Sequence, residues 1–316
     1  MLPRERIAGG LYGLLVGDAL GVPYEFYEAK ELPVYEKIEM TPPAGFQKTY
    51  PRIAAGTWSD DGAQALCLMD SLLKHGKFSL KAYSDALLAW YEEGFWAVGG
   101  VVFDVGVQTA DALNAYKGGI PVKDCGLMNP EGKGNGALMR VLPLALWHFV
   151  QGDTDLEKRS RELVRDAHSQ CQITHGHLCN QVCCALYCLA AQALLEGKEA
   201  REAIQEGVSV LRSIYREQLE YERELEWSVR PDIPWEGRGT GYVVDCLRSA
   251  FMVLEQASDY EDAIKRAVLL GNDTDTTACI TGGLAGICYG LHKIPERWLN
   301  GLKEREKVDY LLAQLE

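Results

Sequence analysis

Apolar residues recur every three to four positions along most of the 316-residue chain, and stretches that alternate with a period of two are scarce. This spacing predicts helices over 4–20, 61–75, 79–92, 104–117, 136–151, 155–171, 176–196, 199–214, 240–257, 260–270, 274–290 and 306–315. Alanine, leucine, glutamate and lysine, all good helix formers, fill these segments. Stop signals agree with the pattern: Gly76 follows Lys74 and His75, and Gly290 closes a long apolar run with Pro295 beyond it. Three stretches read as irregular, 31–58, 118–135 and 217–239, each rich in Pro, Gly or charge. Loops of that length in a compact domain tend to carry function or to move. Neither a tandem repeat nor a low-complexity linker interrupts the chain. The expected fold class is all-α: a single compact orthogonal multi-helix domain over 1–316, with acid-bearing turns at helix N-termini.

Hydrophobic residues make up 47% of the chain and charged residues 24%, values typical of a soluble globular protein. The net charge of −13 argues against a nucleic-acid partner. The N-terminal run GLYGLLVGDALG could be misread as a signal peptide, but it contains Asp18 and no small-residue cleavage site follows. No uninterrupted apolar run reaches the roughly 18–20 residues of a membrane span. The nearest, 178–195, carries Asn180, Gln181 and Gln192 and reads as a buried helix. Four of the ten cysteines, Cys179, Cys183, Cys184 and Cys188, lie in that apolar segment without the paired spacing of a zinc site. They read as small core hydrophobes, which favours a reducing, cytoplasmic compartment. A monomer is the default expectation.

Two short stretches carry the candidate chemistry. In GTWSDDGAQ (56–64), Ser59 is a good N-cap, with Asp60 and Asp61 in the first helical turn. In GNDTDTTA (271–278), Asn272 or Asp273 caps a second helix. Either stretch alone is an ordinary helix start. Together they present two sets of acids and hydroxyls ahead of mostly small, apolar helices. Buried carboxylates grouped in this way repel unless a cation lies between them. Oxygen-only ligands suit a hard cation, so two facing tips would form a two-metal pocket, with magnesium the expected ion.

Seven blocks then make the chain resemble the ADP-ribosylglycohydrolase family: GLLVGDALGVPYEF (13–26), GTWSDDGAQALCL (56–68), FDVGVQT (103–109), GNGALMRVLPLAL (134–146), ITHGH (173–177), GTGYVVDCLRSA (239–250) and GNDTDTTACITGGLAG (271–286). They span nearly the full length and keep the family's order. The resemblance is closest to the dinitrogenase-reductase-activating and ADP-ribosylarginine-hydrolysing branch. It implies an all-helical fold with two magnesium ions (manganese in some members). The ligands would be Ser59, Asp60 and Asp61 from the first motif, and Asp273, Asp275 and Thr276 from the second. One departure is visible: many members place a hydroxyl residue after the first aspartate pair, and this chain has Gly62.

The resemblance also assigns roles around the ions. Glu25 matches a glutamate on a mobile flap near the scissile bond. Asp104 matches an aspartate beside the ribose and the guanidinium; otherwise it would be an ordinary acid in the first turn of a helix. Gly134, Asn135 and Gly136 would contact ADP-ribose, with Met139 lining the site. The glycine-rich turn is read as opening a helix, so that its backbone N–H groups could face a phosphate. His175 would lie near the ligand, although a lone histidine at a helix start is often a cap. Gly241 and Tyr242 complete the set, the tyrosine face being suited to stack on adenine. The implied reaction is hydrolysis of the bond between ADP-ribose and an arginine nitrogen of a modified protein. Glu25, Asp104, Asp60 and Asp275 would be the residues closest to the chemistry. Two alternatives are hydrolysis of O-linked ADP-ribose (serine or O-acetyl) and non-catalytic ADP-ribose binding.

Overall fold

The computed structural model describes residues 2–126, 131–152 and 155–315. In chain order its helices are α1 (Pro3–Gly21), α2 (Asp60–His75), α3 (Leu80–Glu93), α4 (Val107–Lys117), α5 (Leu142–Gln151), α6 (Leu156–Gln172), α7 (Leu178–Leu195), α8 (Ala200–Tyr215), α9 (Leu219–Arg223), α10 (Val243–Gln256), α11 (Tyr260–Val268), α12 (Thr274–Tyr289), α13 (Glu296–Gly301) and α14 (Arg305–Leu315). Among the described residues the only β-type pairings are two isolated bridges, Glu28 with Gly271 and Gly134 with Tyr242. The all-α expectation holds.

The packing of α1 on α12 positions the site. Glycines 9, 13, 17 and 21 recur every four residues, so they share one face of α1 and leave it without side chains. Glycine lowers intrinsic helix stability by about 1 kcal/mol relative to alanine. Here that loss is offset by backbone contact with α12. A Cβ on Gly17 would fall 2.0 Å from the Ala278 carbonyl oxygen, and one on Gly21 would fall 2.4 Å from the Asp275 Cα. The Thr274 hydroxyl donates to the Gly21 carbonyl at 2.9 Å, locking the end of α1 to the start of α12.

Helix α7 runs through the core, with every residue after Leu178 buried, and packs against α5, α6, α8, α10 and α12. All ten cysteines are free, nine of them buried. Two helical segments, Pro3–Tyr24 and Leu178–Leu195, have the length and apolar composition of a membrane span, and 94% of the apolar 18-residue window in each is buried inside the fold. The first was not foreseen from uninterrupted apolar runs.

Several boundaries differ from the sequence reading. Helix α4 starts at Val107 rather than 104, because Asp104 has a left-handed φ of 57° that ends helical geometry before it begins. Helix α5 starts at Leu142 rather than 136. Pro143 occupies its first turn, where the missing N–H costs nothing, and residues 136–140 form turns instead. The supposedly irregular stretch 217–239 contains α9 and a π-helical turn over Glu224–Val229. Its charge hid a segment that buries Leu225 and Val229. Helix α13 was also missed. The stretch 31–58 holds only 3-10 turns at Tyr35–Lys37 and the end of Ala29–Glu31, whereas 118–135 lies partly outside the described residues.

Candidate active site

The first acid tip is built on α2. The Ser59 hydroxyl accepts from the Asp61 N–H at 3.3 Å, as an N-cap should. Asp18 of α1 then holds this helix start from below. The Ser59 N–H donates to both Asp18 oxygens at 2.9 and 3.1 Å, and the Gly62 N–H donates to Oδ2 at 2.8 Å. The glycine at 62 has a steric reason: a Cβ there would lie 2.6 Å from Leu15 and 2.9 Å from Asp18 Oδ2. A hydroxyl side chain in its place would collide with the acid that supports the tip.

The second tip precedes α12. Asp273 sits at the N-cap position, but its side chain does not cap. Its Oδ2 accepts instead from the Asn135 amide at 2.9 Å. Asn272 has a left-handed φ of 60°, and its amide donates to the Arg238 carbonyl. The Asp275 Oδ1 accepts from the Thr276 N–H at 2.9 Å.

The tips meet. The Thr276 hydroxyl lies 3.4 Å from Asp61 Oδ1, joining residues 215 positions apart. One oxygen each of Glu25, Asp104 and Asp275 lies within 4.8 Å of the others, a spacing that can hold a metal ion. Only Asp275 of that triad belongs to the predicted ligand set; the other two were predicted as reaction-side acids. Asp61 Oδ2 and Asp275 Oδ2 are buried without any hydrogen-bond partner. Such orphaned carboxylate oxygens are costly in a protein interior and fit a site that takes a hard cation.

Electrostatics point the same way. Burial pushes the Asp18 carboxyl up to about 7. Burial, followed by the charges of Asp104 and Asp273, pushes Glu25 up to about 9. Burial and neighbouring acids likewise raise Asp60, Asp61 and Asp275 well above the ordinary carboxylate range. A buried cation is linked to the cluster through Gln64. Arg140 is fully buried over the Tyr83 ring and donates to Gln64 Oε1 at 2.6 Å and to the Thr174 hydroxyl at 2.8 Å. Gln64 passes this on by donating to Asp60 Oδ2 at 2.9 Å.

The glycine loops form one wall. The Asn135 N–H donates to the Gly241 carbonyl at 3.0 Å, and the Val243 N–H to the Lys133 carbonyl at 2.9 Å. This pairing brings Gly134 opposite Tyr242, which is 42% exposed. A Cβ on Gly241 would approach Asp273 Oδ2 at 3.2 Å, so the wall abuts the second tip. No helix start stands directly behind Gly134–Gly136, and the Asn135 N–H is already engaged. This corrects the expectation of a helix-borne phosphate cradle. His175 lies beside the same turn, where a Cβ on Gly136 would be 2.8 Å from its Cε1. Burial pushes its imidazole down to about 3, so it is neutral. It is not a cap; His177 caps α7 by accepting from the Cys179 N–H. Met139 is set back among the core side chains.

Asp18, Tyr50, Gln64 and Arg140 escaped the sequence reading as site residues. Asp18, Gln64 and Arg140 lie inside matched blocks, and a buried acid in an apolar helix was a usable signal for Asp18. Tyr50 lies in a loop without pattern.

The sequence matches the model of the ADP-ribosylglycohydrolase family over residues 1–316. It is 31% identical over 314 residues to the ADP-ribosylarginine hydrolase Tri1 of Pseudomonas putida (strain GB-1), covering 98% of this chain and 78% of that protein. It is 26% identical to the ADP-ribosyl-(dinitrogen reductase) glycohydrolase of Rhodospirillum rubrum, covering 98% and 96%. A solved structure, described as an ADP-ribosylglycohydrolase-related protein complex, superposes with a TM-score of 0.77 at 29% identity, covering 99% and 97% of the two chains. A match over the whole length, on a chain whose two acid tips close on one another, makes this protein a member of the ADP-ribosylglycohydrolase family.

Proposed function

We propose that this chain hydrolyses the N-glycosidic bond joining ADP-ribose to an arginine side chain of a modified protein, with two magnesium or manganese ions as cofactor. The observation that carries the reading is the convergence of Glu25, Asp104 and Asp275 beside the joined acid tips. Relatives named for arginine-linked hydrolysis support the choice of linkage.

Ser59, Asp60, Asp61, Asp273, Asp275 and Thr276 are the residues that would hold the ions, since hydroxyls and carboxylates are the donors such ions prefer. When bound, the ions would lower the pKa of a water and neutralise the acid cluster. Glu25, buried and with a raised pKa, is suited to hold a proton and return it at the scissile bond. Asp104 is suited to pair with the leaving guanidine through charge-assisted hydrogen bonds. The carboxylates together favour the positive charge that develops on the sugar as the bond breaks. Gly134, Asn135, Gly136, Gly241, Tyr242 and His175 form the wall assigned to ADP-ribose. Ten free thiols accord with a reducing compartment.

The test is incubation with an arginine-ADP-ribosylated and a serine-ADP-ribosylated peptide, with and without magnesium. The expected result is magnesium-dependent release from the arginine peptide, with Asp104→Ala losing that activity far more than any activity on serine. Release from serine alone would move the protein to the O-linked reading, and release from neither to that of a binder.

A further inference from the structure

The segment 47–50 straps across the turn that carries Glu25. The Thr49 N–H donates to the Pro23 carbonyl at 3.2 Å, and the Thr49 hydroxyl donates to the Glu25 carbonyl at 2.5 Å. The Tyr27 hydroxyl donates back to the Gln47 carbonyl at 2.6 Å. At the end of the strap, Tyr50 Oη lies 2.8 Å from Glu25 Oε2 and 2.7 Å from Asp104 Oδ1. Among the described residues, neither side-chain carboxylate has another hydrogen-bond partner. The Tyr50 ring packs edge-on against Phe103, with centroids 5.2 Å apart, so the residue before Asp104 fixes the ring that holds Asp104.

Asp104 needs such a hold. Its φ of 57° lies in the left-handed region, which aspartate visits more readily than most residues but which still gains from local support. The Tyr50 hydroxyl has one proton to donate and lone pairs with which to accept, so it bridges the two acids by donating to one and accepting from the other in its protonated form.

We propose that Tyr50 is a positioning residue of this site: its hydroxyl sets the spacing and orientation of Glu25 and Asp104 across the bond to be cleaved. This rests on the proposed function, in which those two acids face the scissile bond. Displacing a reacting group by about 1 Å can cost on the order of 100-fold in rate. The role therefore belongs to kcat, while the wall that grips ADP-ribose lies elsewhere.

The experiment is steady-state hydrolysis of ADP-ribosyl-arginine by Tyr50→Phe, which keeps the ring on Phe103 and removes only Oη. The expected result is a fall in kcat of about 10–100-fold, with KM and the Kd for ADP-ribose each changed by less than about threefold. A kcat within threefold of the wild type would overturn the proposal, as would a parallel loss of ADP-ribose affinity. If Tyr50→Phe fails to fold, Phe103→Leu loosens the ring and leaves the hydroxyl. A smaller fall in kcat at constant KM is then expected, and no change would overturn the proposal. Should the wild type be inactive on both arginine and serine linkages, the proposed function falls and this inference with it. An active wild type with an equally active Tyr50→Phe removes the inference alone.

Discussion

Asp18 of α1 holds the backbone of Ser59, accepting its N–H on both carboxylate oxygens at 2.9 and 3.1 Å. The first acid tip is thus anchored by a third acid that lies 41 positions upstream and outside the predicted ligand set. Asp18→Ala would leave the Ser59 and Gly62 N–H groups buried and unpaired, at a cost of about 2–4 kcal/mol. Thermal melts are expected to show a fall of roughly 4–10 °C, and magnesium-dependent turnover should be lost with it. Asp18→Asn keeps an acceptor oxygen and should lose less. Equal melting of all three proteins would show that the tip holds itself.

Acidity and metal should work against each other in this fold. Burial raises Asp18 to about 7 and Glu25 to about 9, and raises Asp60, Asp61 and Asp275 as well. Each group binds its proton more tightly folded than unfolded. Its contribution to stability is therefore complete below the ordinary carboxylate range, about pH 4, and is lost as the pH rises through 7 and 9. Metal-stripped protein is expected to melt at progressively lower temperature between pH 5 and 9. Added magnesium or manganese should raise the melting temperature by an increment that grows with pH, because ions take ionised carboxylates. Asp275→Asn should shrink that increment and abolish turnover. A melting temperature that climbs with pH in the stripped protein would contradict the account.

The glycine face of α1 gives a steric prediction. Gly17→Ala would place a methyl group 2.0 Å from the Ala278 carbonyl oxygen, against backbone that cannot swing away. The two helices must part, and overpacking of this kind costs about 1–3 kcal/mol or more. Because the parting moves α12 relative to α1, activity should fall further than stability does. Differential scanning calorimetry and turnover on the same sample would check this. Gly45→Ala serves as control: its Cβ meets no atom within 4 Å, although a φ of 90° makes a small loss of stability expected there too.

The helices and both acid tips were legible in the sequence because their signals are local. Period 3.6 marks a buried helix face wherever the partner lies, and Ser59 is a cap by its own chemistry. What escaped depends on distant partners. Helix α5 was started six residues early because GALMRV has helical composition, and only Pro143 says where the first turn falls. Asp104 reads as a first-turn acid until Tyr50, 54 positions away, is seen to hold it outside the helix. Nothing local marks Arg140 as buried, and three-dimensional packing is needed to see it between Gln64 and Thr174. The cap of α7 is His177 rather than His175 for the same reason: capping is settled by φ and by which N–H is near. The seven motif blocks contain both acid tips, whereas Tyr50, which touches Glu25 and Asp104, lies outside them.

The bond from the Thr274 hydroxyl to the Gly21 carbonyl spans 253 positions, and it also imposes a schedule on synthesis. A ribosome adds about 5–20 residues per second, so α1 emerges roughly 10–50 s before the helix it must lie against. Throughout that interval the newborn chain carries an apolar, glycine-rich segment without its main packing partner and with poor helical stability of its own. The first helix made is therefore among the last fully secured, and a chain arrested before α12 lacks the second acid tip and the contact that joins it to the first.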